Sequence, residues 1–294
     1  VANYDTRGDK LLIVFVYLVS IFVVIVMLYP FWDQFVVALS TRQNALKPGF
    51  HLIPYPIDLG AYRDILAAPE VWRGLRNTLV RVVVGTIWGV FITALTAYPL
   101  SRDTFPFQRF FMLLIVFTML FSGGLIPSYL LRKGLGLLNN PLVLILPGLV
   151  AFNIIIMRNF YRALPRELTE AAQLDGASDW QIWWRVVLPL SKPVLATIGL
   201  FIAVAHWNAY FDALIYITDR DKYVLQVVLR RILLEGQVEM FVPGGIDTSG
   251  VTQAPAGESV KSALVMVSTL PIVAVYPFLQ RYFIRGTLLG AVKS

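Results

Sequence analysis

The chain has 294 residues, 57% hydrophobic and 15% charged, with a formal net charge of +7. Soluble domains carry roughly 45–50% apolar and about 25% charged residues, so a soluble fold is excluded: a chain of this length could not bury so much apolar surface. The absence of cysteine excludes disulfides and thiol chemistry, and two histidines far apart in sequence, His51 and His206, exclude a multi-histidine metal site within this chain. The basic residues lie scattered between apolar runs, which suits anionic lipid headgroups better than nucleic acid.

Six segments are long and apolar enough to cross a ~30 Å hydrocarbon core as helices. They lie near Leu11–Phe31, Thr78–Leu100, Phe110–Leu131, Pro141–Met157, Val194–Thr218 and Ala263–Phe283. Lipid offers the backbone no hydrogen-bond partner, so each is expected to be helical, and the fold class is an all-α membrane protein with six transmembrane helices. The first follows Arg7 and Lys10 as a signal peptide would, but its apolar run is too long and no cleavage site follows, so it reads as an uncleaved span. Arg81, near the outer end of the second span, is expected to snorkel to the headgroups. In the third, Ser122-Gly123-Gly124 reads as close helix packing or a minor part of a pathway, and Pro127 as a kink. Pro271 and Pro277 are expected to kink the sixth.

An even number of spans puts both termini on one side: residues 1–10 and the tail 284–294, flanking a membrane domain over 11–283. Placing them inside gives an inner loop at 158–192 and long outer loops at 32–77 and 219–262, with about half of the 25 Lys and Arg on the inner side. The first outer loop is rich in proline and aromatic residues at His51–Pro56. The second contains an amphipathic run, Tyr223–Leu234, with apolar positions 225, 228, 229 and 232 at helical spacing. The stretch Pro243–Gly257 reads as a loop or linker. Acidic residues nearly balance the basic ones on the outer side, so its charge is that of a solvated surface.

The inner loop is the most informative stretch. Pro165 suits the first turn of a helix, and Glu167 and Glu170 favour its positive end. Leu168, Ala171 and Ala172 share one face, where alanine lets another surface approach closely. Gly176 stops the helix, since glycine alone enters the left-handed cap without strain. Ser178 with Gln181 forms a capping box that starts a second helix. Trp180, Trp183 and Trp184 form an aromatic stripe suited to a headgroup interface. Leu188-Pro189 is expected to turn the chain into the fifth span. Physically this is two surface helices around a glycine turn, and an interfacial packing loop would look the same.

Glu170-Ala171-Ala172, then Gly176, then Leu188-Pro189 resembles the EAA loop in the membrane subunits of binding-protein-dependent ABC importers. The pattern there is E-A-A, three residues, G, nine residues, I-x-L-P; the spacing is kept here, with Val186 at the isoleucine position. Asp175-Gly176-Ala177-Ser178 matches the sugar-importer version of the turn. Gln280–Gly286 and Gly290–Lys293, together with Trp207-Asn208, are similar to the maltose-type permeases. The long second outer loop looks most like permeases for complex oligosaccharides, including importers of alginate fragments.

The resemblance implies that the inner loop is a cytoplasmic coupling helix, that both termini are cytoplasmic, and that the chain lies in the cytoplasmic membrane. It implies a second homologous permease, two ATPase subunits holding ATP and Mg, an external solute-binding protein and an oligosaccharide substrate. This chain has no phosphate-cradling Gly-x-x-x-x-Gly-Lys-Ser/Thr run and is expected to hold no cofactor. Glu170 and Asp175 would be polar contacts to an ATPase subunit, Ala171 and Ala172 the close-packing face, Gly176 the turn, and Leu188-Pro189 the exit. Gly290–Lys293 would add a second ATPase contact.

His206, Trp207, Asn208, Tyr210 and Asp212 are candidates for a sugar path, because polar groups within a span are costly and face a cavity or another helix. Asn208 and Asp212, and His206 and Tyr210, are expected to share faces at i, i+4. Interhelical bonding plus an aromatic belt is the competing interpretation. Asp212 reads as an outer gate or cap, and Asn153 is a weaker pathway candidate. An ion-coupled secondary transporter would want buried ionisable residues at the midplane, and a membrane enzyme clustered catalytic groups; neither explains Glu170–Pro189.

Overall fold

The computed structural model describes the backbone of residues 7–235 and 257–291. Among them the regular elements are all helices, joined by turns and loops, with a single isolated bridge between Ser40 and Ile57. It divides into two compact units: Val1–Pro69 with Leu229–Leu270, and Glu70–Val228 with Pro271–Ser294.

In the first unit the helix Arg7–Ala38 carries the first apolar segment, and its most apolar stretch buries nothing. Leu11, Phe15, Phe22 and Met27 are all more than 60% exposed, which only a hydrocarbon surrounding tolerates over such a length. The loop that follows folds back on the end of this helix. Trp32 donates to the Leu52 carbonyl (3.0 Å), Asn44 to that of Tyr55 (2.6 Å), and the Asp58 amide to that of Leu39 (2.8 Å). His51 Nδ1 meets Asp33 at 3.0 Å and its Nε2 meets the Lys47 carbonyl at 3.1 Å, so the proline- and aromatic-rich stretch is an ordered element.

The second unit is organised by the helix Pro69–Ser101. Val71, Gly74, Thr78, Arg81, Gly85, Gly89, Thr93, Ala97 and Leu100 form one buried face at helical spacing, while Val80, Val83, Val84 and Ile87 face outward. Small residues on the buried face let neighbours approach. A Cβ at Gly85 would lie 2.5 Å from His206 Nε2, and one at Gly89 would lie 3.0 Å from Ile202 Cδ1. A core of Ala94, Ala97, Met157, Ile182, Trp183, Ile198 and Ile202 then joins this helix to Ala151–Ala163 and Lys192–Asn208. A second cluster gathers Val143, Leu144, Tyr216, Ile217, Val224 and Val227. The helix Leu225–Glu235 matches the amphipathic run: Leu225, Val228 and Ile232 are buried, and its Leu225 amide donates to Thr78 Oγ1 (2.8 Å). The preceding turn is capped by Asp219, which accepts from the Asp221 amide (3.0 Å) and pairs with Lys222. Those partners hold the Asp219 carboxyl below its usual range, so its contribution is complete at neutral pH and is lost as pH falls through the lowered value.

Several expected spans take another form. Among the described residues two single helices, Gly8–Ala38 and Pro69–Ser101, are long and apolar enough to cross a membrane. The third segment is two helices, Gln108–Leu120 and Leu125–Gly134, bent by 115°. The break falls at Gly124 (φ +84°), and a Cβ added at Gly123 would meet nothing within 4 Å, so within this chain the glycine pair is a joint and not a close packing contact. Pro127 sits in the first turn of the following helix, where a missing N–H costs nothing. The fourth segment opens with a 3-10 turn at Pro141–Leu144 and becomes α-helical only at Ala151. Pro147 and Gly148 (φ +76°) interrupt it, and the Pro147 carbonyl accepts from Trp88 Nε1 (2.9 Å). The sixth lies in the helix Glu258–Ala291, which is continuous through Pro271 and Pro277. The linker from Pro243 to Ala256 and the tail residues Val292–Lys293 lie outside the described residues.

Adding a methyl at Gly85 must displace the His206 ring. Gly85→Ala is expected to destabilise the purified protein by about 1–3 kcal/mol. Gly134→Ala, where the added carbon meets nothing, is expected to leave the thermal midpoint unchanged. Equal midpoints for the two variants would show that the close approach at Gly85 is absent.

Candidate functional site

The loop at 158–192 is built largely from local rules. The helix Arg166–Leu174 starts after Pro165 and buries none of its residues. It ends in a double closure: the Gly176 amide donates to the Gln173 carbonyl (3.0 Å) and the Ala177 amide to that of Ala172 (3.0 Å). Gly176 holds φ +79°, and an added side chain there would point into open space. The next helix begins with the capping box: the Ser178 amide donates to Gln181 Oε1 (2.8 Å) and the Gln181 amide to Ser178 Oγ (3.4 Å).

Packing separates the predicted coupling residues. Glu170, Ala171, Asp175 and Gly176 are exposed, whereas Ala172 is partly buried against this chain's own core, as are Ala177 and Leu188. The alanine pair is therefore split, with only Ala171 open to another surface. Trp183 is 1% exposed and belongs to the core, while Trp180 and Trp184 are about half exposed. The expected three-residue stripe is thus two outward rings stacked beside a buried one. Pro189 cannot donate to the carbonyl four residues back, and the helix widens into a π-turn over Trp183–Val187 just before it. The turn itself comes at the buried Ser191, where Asp179–Leu190 and Lys192–Asn208 bend by 80°.

Ion pairs tether both sides of the loop. Asp103 meets Arg162 (3.1 Å) and Arg166 (3.0 Å), and Arg102 meets Asp179 (3.1 Å). Each such exposed pair is worth about 0–1 kcal/mol alone; together they fix the direction in which the helix projects. A cleft of about 230 Å³ lies behind it, lined by Arg102, Asp103, Arg162, Pro165, Arg166 and Glu170 among others.

The predicted pathway residues gather around a feature that sequence reasoning missed. The fifth span does not run unbroken: one helix ends at Asn208, Ala209 is extended (ψ 122°), and a short helix Phe211–Tyr216 follows. The i, i+4 pairings of Asn208 with Asp212 and of His206 with Tyr210 therefore do not form on one helix. Arg81 does not snorkel; it is 5% exposed. Its guanidinium donates to His206 Nδ1 (3.3 Å), to the Ala209 carbonyl (3.2 Å) and to both carboxylate oxygens of Asp212. His206 therefore accepts at Nδ1 as a neutral ring. Trp207 is buried, whereas Asn208 and Tyr210 are exposed beside the break. Asn153 is 4% exposed on a helix packed against Lys192–Asn208 and bonds to no described side chain. The available signal for Arg81 was its position: it shares a helix face with Thr78 and Gly85, which no headgroup-seeking arginine needs.

Among the described residues no group of three His, Cys, Asp or Glu side chains could hold a metal ion. The site presents a projecting, rigidly tied helix at one place and a charge-capped helix break at another.

Comparison with known proteins gives this arrangement a family. Residues 3–289 match the family described as binding-protein-dependent transport system inner membrane component. The chain is 40% identical over 266 residues to the polygalacturonan/rhamnogalacturonan transport system permease protein YtcP of Bacillus subtilis, covering 90% of this chain and 92% of that one. It is 41% identical over 259 residues to protein LplC of the same organism, covering 87% and 85%. A crystal structure of a bacterial ABC transporter involved in the import of the acidic polysaccharide alginate contains a chain that matches with a TM-score of 0.85 and 34% identity, over 96% of this chain and 100% of that one. With nearly its whole length matched, this chain belongs to the family of inner-membrane components of binding-protein-dependent transport systems, membrane permease subunits of ABC importers and not enzymes.

Proposed function

We propose that this chain forms half of the translocation pathway of an importer for oligosaccharides, with uronate-bearing fragments as the substrate class. A second homologous permease completes the pathway, two ATPase subunits hold ATP and Mg and drive it, and an external solute-binding protein delivers the sugar. The chain crosses the membrane six times with both termini cytoplasmic: two single helices and two bent pairs account for four crossings, the segments containing Ala151–Ala163 and Glu258–Ala291 are assigned the other two, and the chain itself holds no cofactor.

The observation that carries this reading is the projecting helix Arg166–Leu174. It is exposed along its length yet tied at both ends, by Asp103 to Arg162 and Arg166 and by the Ala172–Ala177 closure, so a push on it is transmitted to the core that contains Trp183 and Ile198. A lever needs such stiffness. Glu170, Ala171 and Asp175 are its partner-facing groups, Gly176 is the turn, and Leu188-Pro189 leads to the bend. Two relatives support the substrate class: one is named for polygalacturonan and the other for the acidic polysaccharide alginate, both uronate polymers. Asn208 and Tyr210 are the sugar-facing candidates, and Asn153, buried in this chain, stands behind the path and not on it. His206 and Trp207 support them, and Asp212, already held by Arg81, shapes the path.

Two measurements check the two halves of this reading. In the assembled complex, Gly176→Ala carries only the left-handed backbone penalty, about 1–2 kcal/mol, and is expected to retain transport. Gly176→Leu adds bulk that meets nothing in this chain and is expected to abolish the link between ATP hydrolysis and uptake while the protein still inserts. Equal transport by the Leu and Ala variants would remove the ATPase contact from this turn. For the substrate, binding proteins loaded with oligogalacturonate or oligoalginate are expected to stimulate ATP hydrolysis where neutral malto-oligosaccharides do not; stimulation by the neutral sugars alone would refute the uronate class.

A further inference from the structure

Between Gly199 and Tyr216 the fifth span contains neither proline nor glycine. Ala203, Ala205, Ala209, Ala213 and Leu214 favour helix, and Asn208 is only mildly unfavourable. In lipid an unbroken helix would also satisfy every backbone group internally. Nothing in the composition of this stretch, therefore, accounts for the break at Ala209–Tyr210; a local competitor is Asp212, whose Oδ1 accepts from the Ala213 amide (2.8 Å), the donor an unbroken helix would give to Ala209. Sharp breaks arise at proline, at glycine or serine pairs, at π-turns, or where a side chain enters the hydrogen-bond ladder. Here a side chain enters it: Arg81 donates to the Ala209 carbonyl, an acceptor the unbroken helix would give to residue 213, and simultaneously clasps Asp212 from the first turn beyond the break. The burial of the guanidinium, 5% exposed, keeps water from competing for that carbonyl.

We infer that Arg81 is the positioning residue of the translocation pathway: its guanidinium holds the fifth span open at Ala209–Tyr210, and this places Asn208 and Tyr210 on the exposed edge of the break. The placement rests on the reading of these two residues as sugar-facing; the break itself does not. Arg81 is not a receptor for a substrate carboxylate in this conformation. Its donors are already committed to His206, Ala209 and Asp212. Without Arg81 the segment from Lys192 to Tyr216 closes toward one helix, which turns Tyr210 and Asp212 by the roughly 100° per residue that helical geometry imposes and removes the exposed edge.

A pair of double variants separates the carbonyl contact from the charge. Arg81→Gln with Asp212→Asn removes both charges but keeps an amide donor for Ala209. Arg81→Met with Asp212→Asn removes the donor as well. Both are reconstituted as the full complex in nanodiscs and followed by amide hydrogen exchange over Trp207–Ala213. The methionine pair is expected to exchange about tenfold more slowly there than the glutamine pair, the shift one hydrogen bond of ordinary net strength supplies. A residue that served only stability would give the opposite sign, faster exchange on its removal. Unchanged or faster exchange in the methionine pair, relative to the glutamine pair, overturns the inference. Uptake of loaded oligogalacturonate is measured in parallel and is expected to fall with the slowed exchange. Exchange does not depend on the sugar carried. Slowed exchange with undiminished uptake would therefore overturn the pathway placement of Asn208 and Tyr210 while leaving the role of Arg81 at the break intact.

Discussion

In hydrocarbon every backbone donor and acceptor must find a partner within the protein, and this chain departs from continuous helix at several points inside its apolar segments. Three irregular points in the chain come with a supplied partner. The Pro147 carbonyl is met by Trp88, the first amide of Leu225–Glu235 by Thr78, and the Ala209 carbonyl by Arg81. All three partners project from the helix Pro69–Ser101. That helix acts as a strip of donors, acceptors and small residues against which less regular segments can be laid, and the remainder of its unit depends on it for that reason.

The buried face of the same helix explains how irregular backbone can come so close. Gly74, Gly85 and Gly89 leave room for Leu225, His206 and Ile202 respectively. Close approach shortens the reach that Arg81 and Thr78 need, so glycine and polar residues on one stripe are two parts of one device. Burying an ion pair such as Arg81 with Asp212 is seldom a net gain in stability over apolar packing, because desolvating two charges is expensive. Its retention is better understood through what it shapes than through what it stabilises.

The loop around Arg166–Leu174 follows a different logic. Its backbone closures are local, between residues at most a few positions apart, and leave the helix largely exposed but stiff. A helix that buries none of its residues fully cannot take its geometry from burial, so caps and a left-handed glycine set it, with the ion pairs of Arg102 and Asp103 reaching it from distant sequence. The division inside Glu170-Ala171-Ala172 fits this: one alanine faces out, and the other anchors the helix to the core beneath.

The amino-acid sequence by itself determined what rests on short-range rules. The lipid surrounding followed from composition, the Gly176 closure and the Ser178–Gln181 box from residue type at fixed spacing, and the amphipathic helix near Leu225 from periodicity. These need no knowledge of distant residues, because the interactions span one turn of helix. The interruption at Pro147-Gly148 was equally written in the sequence, although the surrounding apolar run concealed it. Tertiary structure alone decided the rest. Trp183 and Trp184 are adjacent and chemically identical, yet one is core and the other surface, since only the helices packed beneath can choose between them. Arg81 near a span end fits a headgroup as well as a buried ion pair; its direction is set by Asp212 and Ala209, more than a hundred residues away. A helix broken without proline or glycine leaves no local trace, because the interaction that breaks it comes from another helix.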